Sequence, residues 1–144
     1  SREYLDKQLI HDGYCTFDLQ GKKCLALHGS IEDYFWKSLS FENIQDSYSD
    51  YDFVFSGHSH ISHMFTKFYK NSNQVMRNYH SVLFINPGSV GQPRNHHPEA
   101  QYAILNLQTM AVHMRSVPYN IKKAQTYYTD NVDLFYKNRL SKGI

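Results

Sequence analysis

The stretch "FVFSGHSHISH", Phe53 to His63, drives an apolar run into a glycine and then into His58 and His60, one residue apart. Neutral imidazole is a common transition-metal ligand. The pattern His-x-His alone says little in a chain with nine histidines, but its position says more. The pair follows the C-terminal end of an apolar strand, where open α/β sheets place their ligand sites. In an extended chain His58 and His60 would face the same way, about 6.5 Å apart at Cα, a spacing that serves one metal or two. Gly57 would supply the backbone freedom that other residues resist. "LALHG" repeats the arrangement, with an apolar run ending in His28 and then Gly29. If both strands lie in one sheet, three histidines converge on its C-terminal edge. The competing reading makes each a satisfied polar residue at a strand end. Histidines alone make a poor hydrolytic centre, because carboxylates are needed to offset the charge of two cations. Glu32, Asp33, Asp50 and Asp52 flank the strands without paired spacing.

The elements that must position these residues follow from pattern. Leu5 and Leu9 give residues 2–10 helical spacing. "YCTFDL" and "CLAL" read as a hairpin around "QGKK", the second strand buried on both faces. "SIEDYFWKSLSFENIQDSY" is expected to be helical, with Ser30 as cap and Asp33 at the capping-box position. Tyr51–Gly57 is a buried strand, and strands flank the polar "KNSNQ" turn. The proline-rich "PGSVGQPRNHHPE" is a loop. A second hairpin turns at Gln108–Thr109, and two helices follow Asn120, with Asn120 and Asp130 as candidate caps. Together these make one α/β unit.

With 144 residues, 41% hydrophobic and 15% aromatic, the chain can form a packed core. A net charge of +2 with scattered lysines does not point to nucleic acid. No stretch reaches membrane-span length. Cys15 and Cys24 read as reduced thiols of a cytoplasmic protein, with a disulfide as the alternative.

"LALHGSIEDYFW", "DFVFSGHSH" and "FINPGSVGQPRNHHPEAQYAILNL" resemble, in order and spacing, the calcineurin-like metallophosphoesterases of the small prokaryotic phosphodiesterase-type branch. The resemblance covers nearly the whole chain. It implies an α/β sandwich of two mixed β-sheets flanked by helices. It also implies that residues 1–144 are the C-terminal portion of a single domain, with N-terminal strands missing and a sheet edge for a missing segment or partner chain to cover. The implied cofactors are two divalent metal ions drawn from Mn, Fe, Zn, Ni or Mg. His28 and His58 match ligands of the second metal, and His60 matches a ligand of the first. The family's Asp-x-His, Gly-Asp and Gly-Asn-His/Cys motifs are not found here, so the chain alone is expected to be inactive. The implied reaction is hydrolysis of a phosphodiester or small phosphorylated metabolite by a bridging hydroxide held between two metals. An inactive binding or scaffold protein on the same fold is the alternative, and a homo-oligomer is compatible with either. Arg94 and Asn86, in "NPGSVGQPR", and His63 are weaker candidates for the substrate phosphate, against a purely architectural role. His80, His96, His97 and His113 are expected to be structural or on the surface. Tyr34, Phe35 and Trp36 are expected in the core or the pocket wall, where a substrate ring could stack.

Overall fold

The computed structural model describes residues 13–144, so the helix expected over 2–10 lies outside the described residues. The described residues cluster into two compact units. One comprises the chain up to His58 together with Phe65–Ile85, the other Ser59–Met64 with Asn86–Ile144.

The first unit is built on a five-stranded mixed sheet. In chain order its strands are β1 (Tyr14–Leu19), β2 (Lys22–Leu27), β3 (Phe53–Phe55), β4 (His63–Lys70) and β5 (Tyr79–Asn86). Their order across the sheet is β1-β2-β3-β5-β4. The expected hairpin is present: β1 and β2 run antiparallel, with Tyr14 opposite Leu27 and Leu19 opposite Lys22. Asp18 accepts the Gly21 N–H at 2.8 Å and closes the turn. Strand β3 lies in the sheet's centre, parallel to β2 on one side and β5 on the other. Phe53 and Val54 are buried there, as central parallel strands require.

One face carries the core of Leu25, Leu27, Val54, Val82 and Phe84 from the strands, closed by Leu39, Ile44 and Tyr48 from the segment before β3. That segment is not the helix its sequence predicts. Residues 31–45 are irregular, with turns at 34–36 and 41–43, and one 3-10 turn spans Asp46–Tyr48. The capping bond forms, with Ser30 Oγ accepting the Asp33 N–H at 3.2 Å. Asp33 and Asn43 then engage nearby backbone groups with their own side chains. Such local bonds compete with helix propagation, which also needs a costly nucleus. Trp36 is correspondingly not core: it is 81% exposed.

Burial pushes the phenols of Tyr48 and Tyr69 from about 10 up to about 12. Tyr48 Oη accepts the Ile31 N–H at 2.8 Å, and Tyr69 Oη donates to the Gln45 carbonyl at 2.9 Å. Unfolded tyrosines ionise first, so this stability is complete below pH 10 and falls as pH rises to 12, by about 2–3 kcal/mol per tyrosine. Urea midpoints measured from pH 9 to 12 should fall accordingly, with Tyr69→Phe removing its share of the slope. A flat profile would contradict this account.

The second unit carries a two-stranded antiparallel sheet of β6 (Ala100–Asn106) and β7 (Ala111–Val117), the second predicted hairpin. The expected terminal helices are short. Asn120 caps α1 (Ile121–Gln125) as expected, accepting the Lys123 N–H at 2.9 Å. Asp133, rather than Asp130, caps α2 (Leu134–Arg139), accepting the Phe135 N–H at 2.8 Å. Cys15 and Cys24 are both free thiols, on strands whose register pairs neither with the other. Among the described residues, no helix is long and apolar enough to cross a membrane.

Candidate metal centre

His28 follows β2, and His58 follows β3 by three residues. The parallel register of these strands pairs Cys24 with Phe53 and Ala26 with Phe55. Carried two residues further, it sets His28 beside Gly57, and the Gly57 N–H donates to the His28 carbonyl at 3.0 Å. His58 is the next residue. The sheet's own pairing therefore brings the two imidazoles together. His28 Nε2 lies 3.2 Å from His58 Nδ1, with the rings nearly perpendicular at 83°.

The backbone route differs from the extended one expected. His58 and His60 both adopt left-handed backbone, at φ 61° and 58°. The residues with positive φ are the histidines and not Gly57, so period-two alternation across "HSH" does not apply. Histidine is one of the few side chains enriched in this region, yet the conformation still carries a cost over glycine. Such strain is found disproportionately at functional sites.

Gly29 is required by close approach. A Cβ there would lie 2.6 Å from the Asp33 carbonyl oxygen and 2.9 Å from those of Tyr34 and Lys37. The Gly29 N–H also donates to the Tyr34 carbonyl at 2.7 Å. The turn after His28 is thus folded tightly around a missing side chain. Asp33 closes it, its Oδ1 accepting the N–H groups of Trp36 (3.0 Å) and Phe35 (3.1 Å). These two bonds, aided by the charge of His58, hold its carboxyl below the usual carboxylate range. The Trp36 and His58 rings stand nearly perpendicular, with centroids 6.5 Å apart at 86°. Spacing alone gave no signal of this Trp36–His58 contact; the "HG" turn preceding the aromatic run was the available clue.

In the second unit the proline-glycine loop holds His60 from two directions. The ring donates from Nδ1 to the Gln92 carbonyl at 2.7 Å, and the Arg94 N–H donates to the His60 carbonyl at 3.2 Å. A carbonyl can only accept, so Nδ1 carries the proton and the neutral ring has its lone pair on Nε2. This is the arrangement that orients a metal-ligating histidine. Gln92 is a supporting residue that the sequence motifs did not reveal. Asn86 is 1% exposed, donates to Ser59 Oγ at 3.1 Å and accepts the Gly88 N–H at 3.0 Å. Its side chain shapes the loop rather than facing solvent. Gly88, at φ +91°, abuts Gln101, which a Cβ would strike at 2.1 Å. The Arg94 side chain is on the surface. His63 is half-buried and donates from Nδ1 to the Ile61 carbonyl at 3.0 Å. His96, His97 and His113 are exposed, and His80 is half-buried, donating to the Tyr51 carbonyl at 2.8 Å.

Residues 3–110 match the calcineurin-like phosphoesterase superfamily domain. The chain belongs to this superfamily. It is 30% identical over 131 residues to an uncharacterised protein of Methanocaldococcus jannaschii, covering 88% of this chain and 51% of that protein. The chain thus spans about half the length of that curated relative. Among solved structures it is similar to a metallophosphoesterase from Sphaerobacter thermophilus, with a TM-score of 0.73, 23% identity, and coverage of 99% of this chain and 62% of that one. A hypothetical protein from Pyrococcus horikoshii OT3 gives a TM-score of 0.67 at 18% identity, covering 99% of this chain and 54% of that one. These two establish the shared fold, and the mixed sheet observed here is that of metallophosphoesterases.

Members of the superfamily are metal-dependent phosphoesterases that use divalent ions. The first histidine pair fits such an ion. Two nitrogens 3.2 Å apart, each about 2.0–2.1 Å from a zinc-sized ion, subtend about 100°, close to tetrahedral. A ligating imidazole presents a lone pair rather than a proton at its coordinating nitrogen, so binding of an ion there would be favoured as pH rises. Among the described residues, no group of three or more His, Cys, Asp and Glu is assembled to complete a ligand set.

Proposed function

We propose that this protein acts in the hydrolysis of phosphodiesters or small phosphorylated metabolites at a two-metal centre, to which it contributes His28 and His58. The observation that carries this reading is the 3.2 Å approach of His28 Nε2 to His58 Nδ1, a separation suited to two cis ligands of one cation. His60 is proposed as a further ligand through Nε2, on the family resemblance and on the tautomer that Gln92 imposes. When bound, divalent cations neutralise phosphoryl oxygens and lower the pKa of water. The part this chain plays is positional. Parallel pairing of β2 and β3 sets the first histidine pair, and the Gln92 carbonyl fixes the proton of His60 on Nδ1. Arg94 has the charge and exposure to meet a substrate phosphate; Asn86 contributes through loop shape, and His63 is a weaker candidate. Two free thiols suit a reducing compartment, so a cytoplasmic setting is part of the proposal.

A second reading follows from the incomplete ligand set. In it, these 144 residues fold and bind metal weakly but turn nothing over until further carboxylates are supplied. One assay addresses both readings. Hydrolysis of a generic aryl phosphodiester should appear with manganese, cobalt, nickel or zinc in the protein expressed from its complete gene, and chelator should abolish it. Turnover by residues 1–144 alone would reject the second reading. The absence of turnover by the complete protein with every metal would reject the first.

A further inference from the structure

Trp36 combines three properties. It is 81% exposed, and its neighbour Phe35 is 50% exposed. Its backbone is nonetheless fixed: Asp33 Oδ1 accepts the N–H groups of both residues, and the Gly29–Tyr34 and Ser30–Asp33 bonds close the turn beneath them. Its ring also stands nearly perpendicular to that of His58, 6.5 Å between centroids. A large apolar ring presented to solvent on a pinned turn forfeits the burial that normally stabilises tryptophan. A rigid aromatic surface beside a phosphate-handling centre has an evident use, because planar rings stack on it with little ordering cost.

We infer that Trp36 is a stacking platform that selects phosphoesters whose esterifying group carries an aromatic ring, with nucleoside phosphates as the chemical class. The inference rests on the phosphoesterase reading and adds substrate class to it. A phosphoryl group near His28 and His58 and a ring carried on the same ester can reach the histidines and the indole together. Phe35 widens the apolar surface. Tyr34 is half-buried and stacked on Tyr14 at 4.7 Å, so it anchors the turn rather than offering a second platform.

Trp36 is the one tryptophan in the sequence, so its emission reports on this position alone. The 144-residue chain, loaded with cobalt(II), should be titrated with adenosine monophosphate and with ribose 5-phosphate, which lacks the base. Cobalt should quench the emission of the wild type and not that of His58→Ala. Adenosine monophosphate should shift the emission and bind about tenfold more tightly than ribose 5-phosphate. By calorimetry, Trp36→Ala should remove that tenfold preference and leave ribose 5-phosphate unchanged, whereas Trp36→Phe should keep most of it. Equal binding of the two ligands by the wild type, or equal weakening of both by Trp36→Ala, would overturn the platform while cobalt quenching leaves the metal site standing. Absence of cobalt quenching would remove the metal site and, with it, the platform. Blue-shifted emission that tracks self-association in sedimentation would show a second copy covering Trp36 and would also overturn the inference.

Discussion

Replacing His58 by alanine should weaken binding of a divalent transition metal at least about a hundredfold, measured by calorimetry with cobalt or zinc. Loss of a partner that merely supports a metal ligand costs about 10–100-fold in affinity, and His58 stands to supply a ligand atom itself. Its Nδ1 lies 3.2 Å from His28 Nε2, so its removal takes away half of a chelate. His58→Gly separates the ligand from the fold. His58 holds φ at 61°, and glycine occupies that region without the penalty of about 1–2 kcal/mol that other residues meet. The glycine variant should therefore unfold at a higher denaturant concentration than the alanine variant and bind metal no better. If His58→Gly binds metal like the wild type, the imidazole is not a ligand. If it is no more stable than His58→Ala, the left-handed backbone is not what limits the loop.

Gly29→Ala should cost about 3 kcal/mol of folding stability, at the upper end of overpacking effects. The added methyl would sit 2.6 Å from the Asp33 carbonyl and 2.9 Å from two others. These are backbone atoms of a turn closed by its own hydrogen bonds, and no rotamer change can withdraw them. The damage should reach the site, because His28 precedes this glycine and the turn carries Trp36. Metal affinity should fall along with the denaturation midpoint. Gly91→Ala is the control: a Cβ there would meet nothing within 4 Å, and its folding stability should change by under about 0.5 kcal/mol. Equal effects at the two glycines would show that the turn after His28 has room to adjust.

The parts of the fold legible in the sequence were those set by short-range pattern. "YCTFDLQGKKCLAL" showed its hairpin because alternation and a turn signal coincide over fourteen residues. The Gln108–Thr109 turn showed itself for the same reason. Residues 31–48 misled because their apolar spacing resembles a helix while Ser30, Asp33 and Asn43 bond locally to the backbone. Which of those wins depends on the tertiary anchors of Leu39, Ile44 and Tyr48, which no local window contains. At the site, residue identity was readable and conformation was not. His28 and His58 read as strand-end histidines, and the structure brings them together. The left-handed turns at His58 and His60 leave no trace in the sequence, where Gly57 is the residue expected to take unusual backbone. The support that Gln92 gives His60 comes from a backbone carbonyl, which carries no residue signature.

The left-handed backbone at His58 and His60 also bears on how this loop would change under random mutation. At both positions the substitution that most relieves the backbone is glycine, which binds no metal through a side chain. Asparagine and aspartate are the next most tolerated there, and both can still coordinate a cation. Selection for stability alone would therefore erase the two imidazoles, whereas selection for a cation would permit an exchange among His, Asn and Asp. A population of variants sorted first for folding and then for metal retention should part along that line, glycine enriched in the first pool and the three ligand types in the second.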